Sequence, residues 1–156
     1  MTAFILVLVA LVLAAMLLGV HLSGVFGLNP AMNALDFDVY LRTKQSFDVV
    51  MPRFARPLML GALISTAVAT FVAILQLGVG ASLACGVGLV ALAATLLAIL
   101  RGDLPINQAM SSWSPESPPD DWQQVRARWE RFFAVRTTAN AVALLALCVA
   151  TALVSL

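Results

Sequence analysis

Residues 57–100 read PLMLGALISTAVATFVAILQLGVGASLACGVGLVALAATLLAIL, from Pro57 to Leu100, without a single Asp, Glu, Lys or Arg. A transmembrane helix needs about 20 mostly apolar residues. One helix of this whole stretch would reach ~65 Å, about twice the hydrocarbon core. The chain must therefore fold back, and Gly78-Val79-Gly80 is the turn signal, with Gln76 beside it at the interface. This gives spans at about 58–77 and 80–100. Working outward, an uncharged run covers about 4–28 and another about 135–156. The expected fold is all-α, a transmembrane four-helix bundle forming one integral membrane domain over residues 1–156.

Composition agrees. The chain is 62% hydrophobic and 11% charged, whereas soluble domains are about half apolar and about a quarter charged. That excludes a soluble enzyme and a disordered chain. A net charge of +1 gives no basic footprint for nucleic acid. The N-terminal MTAFILVLVA lacks the basic start, short apolar core and cleavage site of a secretory signal, so the first segment is expected to be retained.

All nine Lys and Arg lie in 29–57 and 101–136. The positive-inside rule then places both long segments in the cytoplasm and both termini outside, in a membrane read as the bacterial cytoplasmic membrane. Small residues recur as Gly61, Ser65, Ala69 and as Gly80, Ala84, Gly88, which predicts a close contact between spans two and three. In 29–57, the spacing of Tyr40, Phe47, Val50, Met51 and Phe54 predicts a short amphipathic helix on the membrane surface. Asp36 would cap it, Pro52 would end it, and Pro57 would open span two. Residues 101–120 read as a loop with four prolines. Asp120 and Gln123 resemble a capping box, and the stripe Trp122, Val125, Trp129, Phe132/Phe133 runs into span four as one long helix. The three tryptophans fall at headgroup level on this side.

Polar groups in lipid are costly and need a reason. His21, the only histidine, lies ~10 Å from the cytoplasmic end of span one, and Asn140 lies one turn past Arg136 in span four. Asn29, Gln45, Asp48, Arg53 and Asn107 belong to the same side. These residues predict a polar cavity at the cytoplasmic mouth of the bundle. The alternative has His21 bonding a backbone carbonyl and Arg136 snorkelling to headgroups. Cys85 and Cys148 read as structural thiols. One histidine cannot build a bis-histidine haem or a multi-histidine metal site within one chain. Nucleotide, phosphate and hydrolase motifs are absent from the sequence, so no cofactor or metal is expected. The spans contain no carboxylate, which argues against a proton-coupled transporter.

Leu104-Pro105-Ile106-Asn107, Trp113, Arg126-Ala127-Arg128-Trp129 and Arg136-Thr137 together resemble the pattern of the anthrone-oxygenase-like family of small four-helix membrane proteins. The resemblance spans most of the chain, and 104–137 is its specific part. It implies a four-helix bundle and, in the characterised members, oxidation of a polycyclic anthrone to an anthraquinone by O₂ without a known metal or flavin. Such a site needs one base and donors for an enolate oxygen. The family usually carries His or Asn four residues after the matched Trp; here that position is Phe133. Carried over, Asn107, Trp129 and Arg136 become site candidates, and His21 acts as base from another helix. The catalytic set is then His21 and Arg136, and the substrate-binding set Asn107, Trp129 and Asn140. The same residues equally suit a structural lock between loop and bundle. Two functions follow: an oxygenase acting on a flat hydrophobic aromatic or quinone-like molecule, or a non-catalytic membrane accessory subunit or scaffold. The expected partners are membrane lipids and a hydrophobic small molecule, with a homo-oligomer or larger membrane complex compatible with either reading.

Overall fold

The computed structural model describes residues 1–155. Helix α1 covers Thr2–Ser23, and after a π-helical turn, Gly24–Leu28, the chain continues into α2, Asn29–Asn33. Helix α3 covers Phe37–Gln76 and α4 covers Val79–Ala98. A second π-helical turn, Ile99–Asp103, leads into α5, Leu104–Ser111, and α6 covers Trp122–Ser155. Four helical stretches, Thr2–Asn33, Phe37–Gln76, Val79–Ser111 and Trp122–Ser155, are long and apolar enough to cross a membrane. The expected four-helix bundle is the fold. Its helices form a ring in which α1 packs on α3 and α6, and α4 packs on α3 and α6.

The two π turns share one cause. Each precedes a proline in the first turn of the next helix, Pro30 in α2 and Pro105 in α5. Proline has no N–H, and its ring clashes with the carbonyl one turn back. Widening the preceding turn keeps the helix running past that defect. Both turns also hold a glycine against α6. A Cβ on Gly24 would collide with the Phe133 ring, and one on Gly102 with the Phe132 ring.

Several local expectations change. Helix α3 is one helix of 40 residues running through Pro52 and Pro57. The 40–51 stretch is therefore no separate surface helix, and it turns Tyr40, Leu41 and Lys44 inward. Continuing the helix buries that face against α5 and α6, which a surface helix could not do. Asp36 flanks the start of α3 through its backbone carbonyl, which accepts from Tyr40 N–H at 2.8 Å; its side chain makes no cap bond. Residues 104–111 are helix α5, not loop, because Pro105 falls in a first turn where its missing N–H costs nothing. Helix α6 is continuous as expected, but it starts at Trp122, with the Asp121 carbonyl accepting from Val125 N–H at 3.0 Å; this puts Asp121, not Asp120, in the flanking position. The expected contact between spans two and three forms, as α3 packs on α4 with Ala69, Ala73, Ala84 and Cys85 in one cluster, but the glycines of the two stripes face other helices. Gly61 faces Leu13 of α1, while Gly80 faces Leu153 and Gly88 faces Leu147 of α6.

The core changes character along the bundle. Toward the termini it is small and tight: Val7, Ala10, Ala14, Ala69, Ala73, Cys85, Leu147 and Ala150. At the opposite, basic end it is bulky and aromatic: Met32, Tyr40, Leu41, Ile106, Met110, Trp129 and Phe133. Alanines let helix backbones approach closely. Aromatic rings and paired prolines hold them apart, and a cavity lies in the part of the bundle they prop open.

Candidate binding cavity at the basic end

The cavity measures about 870 Å³ and is walled by every helix of the bundle. Leu17, Val20, Met51, Met59, Leu96 and Ile99 give it a mainly apolar lining. Its polar wall is His21, Lys44, Asp48, Asp103, Asn107 and Arg136, with the Trp129 and Phe133 rings between them. Leu60 and Leu100 also line it and are each about half exposed on the outside of the bundle.

Two ion pairs organise the polar wall. Lys44, only 2% exposed, donates to Asp48 Oδ2 at 2.5 Å and to Asn107 Oδ1 at 2.7 Å, and its Nζ stands 4.5 Å from the Trp129 ring centroid. Burial holds the Lys44 ammonium below its usual range, and Asp48 pulls against that shift. Arg136 donates through Nη1 to Asp103 Oδ2, and its Cζ stands over the Phe133 ring, 3.9 Å from the centroid. Phe133 in turn packs tilted against Trp129, centroids 5.2 Å apart, and meets His21 edge-on at 6.1 Å. Asn140, fully buried, places its amide 3.4 Å from His21 Nδ1.

The structure thus brings together all five sequence candidates. His21, Asn107, Trp129 and Arg136 line the cavity, and Asn140 stands behind His21. His21 meets an amide rather than a backbone carbonyl, and Arg136 turns inward to Asp103 rather than out to headgroups. A buried guanidinium needs a partner, and the second π turn delivers one. Trp129, 6% exposed, belongs to this wall and not to a headgroup belt. Of the remaining polar candidates, Asp48 joins the wall, and Gln45 ties α3 to the end of α5 through the Met110 and Trp113 carbonyls. Arg53 is exposed and takes no part in the lining.

Lys44 and Asp103 are the residues that sequence reading passed over. Lys44 looked like the solvent face of a surface helix. Asp103 sits three residues beyond an apolar run, where Arg136 needed a counter-charge, and that need was its only signal. Among the described residues, six buried side-chain atoms have no hydrogen-bond partner: Asn29 Oδ1, Tyr40 Oη, Asp103 Oδ1, Trp129 Nε1, Arg136 Nε and Asn140 Oδ1. Compared with family models, curated proteins and solved structures, the chain matches none.

Proposed function

We propose that the protein is a membrane oxygenase of the anthrone-oxygenase type, which oxidises a flat hydrophobic aromatic or quinone-like substrate with O₂. The observation that carries this reading is the convergence of His21, Asn107, Trp129 and Arg136 on one largely apolar cavity, with Asn140 behind His21. The mainly apolar lining, which includes the half-exposed Leu60 and Leu100 of the apolar spans, supports a substrate that arrives dissolved in lipid. We place the protein in a bacterial cytoplasmic membrane with the basic end cytoplasmic, on the grouping of all nine Lys and Arg.

For an anthrone the chemistry is balanced with O₂ as the only oxidant. His21 takes a proton from the methylene carbon beside the aromatic rings, and the negative charge spreads to the carbonyl oxygen as an enolate. That enolate passes its electrons to O₂, a carbon–oxygen bond forms, and the resulting peroxide anion takes the proton back from His21 to give a hydroperoxide. Loss of water then leaves the second carbonyl of the quinone. Arg136 and Asn107 are the donors on hand for the enolate oxygen. In the structure the Asn140 amide nitrogen faces His21 Nδ1; the base role requires the Asn140 amide turned over, so that its carbonyl accepts from Nδ1–H and Nε2 is left free to accept. Purified protein in lipid should then speed O₂ uptake on an anthrone. His21→Ala should lower that rate at least ~100-fold, the ordinary contribution of a general base. Wild-type rates in His21→Ala would remove the mechanism.

A second reading is a non-catalytic accessory subunit or scaffold, in which the Lys44–Asp48–Asn107 and Arg136–Asp103 sets lock α3, the second π turn, α5 and α6 together. It predicts a stoichiometric partner after mild-detergent extraction and no change in O₂ uptake.

A further inference from the structure

The basic residues of this end fall into two groups by their partners. Lys44 pairs with Asp48, Arg136 with Asp103 and Arg42 with Glu116. Arg126 lies against the Tyr40 and Trp122 rings. The others, Arg53, Arg56, Arg101, Arg128 and Arg131, are exposed and make no ion pair among the described residues. The acids are not placed to serve them. Asp48, Asp103 and Glu116 are engaged in the pairs above, and Glu130 accepts from Asn33 Nδ2 at 2.8 Å. Asp36, Asp38, Asp120 and Asp121 are exposed at the starts of α3 and α6. At ~1.5 Å per residue, Arg53 stands ~22 Å along the chain from Asp38, and Arg128 stands ~10 Å from Asp121. Both separations exceed the ~8 Å over which exposed charges act at physiological salt.

The unpaired arginines also share a level. Each lies within ~10 Å of the end of an apolar span. Apolar side chains that are about half exposed border them: Phe54 between Arg53 and Arg56, Leu97 and Leu100 before Arg101, and Val135 beyond Arg131. The headgroup layer extends ~6 Å beyond the hydrocarbon on each side, and long arginine side chains reach back to it. Tryptophan does not anchor this level, because Trp129 is buried and Trp113 and Trp122 pack on the aromatic core. We propose that Arg53, Arg56, Arg101, Arg128 and Arg131 form a collar that binds the phosphates of anionic phospholipids in the leaflet at the basic end. A guanidinium fork meets a phosphate with two parallel N–H donors. The collar has no free acid to pair with a headgroup ammonium, so it selects lipids of net negative charge over zwitterionic ones. The neighbouring apolar side chains meet the upper acyl chains, and the acidic starts of α3 and α6 stand clear of the negative surface. This inference rests on the exterior charges and is independent of the reaction proposed for the cavity.

The test places the full chain in nanodiscs of equal parts phosphatidylglycerol and phosphatidylcholine. Lipids that stay bound after transfer to detergent are then counted by native mass spectrometry. Phosphatidylglycerol should be retained over phosphatidylcholine by at least about fivefold, the factor given by ~1 kcal/mol for one basic residue at a membrane surface. Changing all of Arg53→Gln, Arg56→Gln, Arg101→Gln, Arg128→Gln and Arg131→Gln should bring the preference close to even. That variant also lowers the net charge, so a second one raises it. Asp36→Asn, Asp38→Asn, Asp120→Asn and Asp121→Asn together should leave the preference at the wild-type value, because those acids lie beyond screening range of the collar. If the arginine variant does not fold, Arg53→Gln with Arg56→Gln, and Arg128→Gln with Arg131→Gln, should each lower the retention on their own. Excess glycerol phosphate should not displace the lipid; displacement would make a soluble phosphate the ligand and overturn the proposal. Equal retention of the two lipids by wild type, or an unchanged preference in the arginine variants, also overturns it. So does a preference that rises in the aspartate variant as much as it falls in the arginine variant, since net charge and not the collar would then be the cause.

Discussion

At the scale of single residues, the site depends on side chains whose partners come from distant parts of the chain. Phe133 is the clearest case. It carries Arg136 on one face, touches Trp129 and His21, and rests on Gly24 where no Cβ could fit. An apolar ring at this position therefore does positive work: it fixes the heading of Arg136 toward Asp103. Gly24 and Gly102 are the matching absences. Gly24→Ala or Gly102→Ala forces the Phe133 or Phe132 ring to move, which should cost about 1–3 kcal/mol of stability. Gly19→Ala meets nothing within 4 Å and should be neutral or more stable by up to ~1 kcal/mol through helix propensity. Thermal unfolding in one detergent would separate the two classes, and equal losses at Gly19 and Gly24 would refute the close-approach argument.

At the scale of elements, the deciding feature is that all four helical stretches run past the apolar spans to build the basic end. Helix α3 extends about 20 residues before its apolar part, and Lys44 and Gln45 fasten this extension to α5. Such an extension is only as stable as its docking, since isolated helices of this length are marginal in water. Lys44→Met should free it. Deuterium uptake over residues 37–51 is expected to rise at least ~10-fold, while 58–76 stays protected, because local openings have their own free energies. Unchanged uptake over 37–51 would show that the buried ammonium is not what holds the extension.

At the scale of the whole molecule, the ring of four helices puts the termini and the Leu77-Gly78 turn at one end, and every charged side chain at or near the other. In a background lacking Cys85 and Cys148, Ser46→Cys and Ser112→Cys should react with an impermeant maleimide from the same side of the membrane, and Thr2→Cys and Ser155→Cys from the opposite side. Labelling of Ser112→Cys from the side of the termini would break this topology and with it the account of a basic-end cavity.

Much of this architecture was legible in the sequence, and the limit of legibility has a physical cause. Lipid offers no partners to charges or to open backbone groups, so uncharged runs of span length must be helices, and the number and placement of those runs settle the bundle without any knowledge of contacts. The same cost marked His21, Asn140 and Arg136 as residues with a purpose. Only the tertiary structure decided what each of them faces. Whether a proline ends a helix or the helix runs through it depends on what the helix beyond it can bury; here Pro30 and Pro105 follow widened turns and Pro52 sits inside regular α3. Whether Lys44 points to water or into the protein depends on α5 and α6 closing over it, as does the pairing of Arg136 with an aspartate 33 residues earlier. Apolar length is a local property that one segment states by itself. Pairing between segments is a property of packing, and no segment carries it alone.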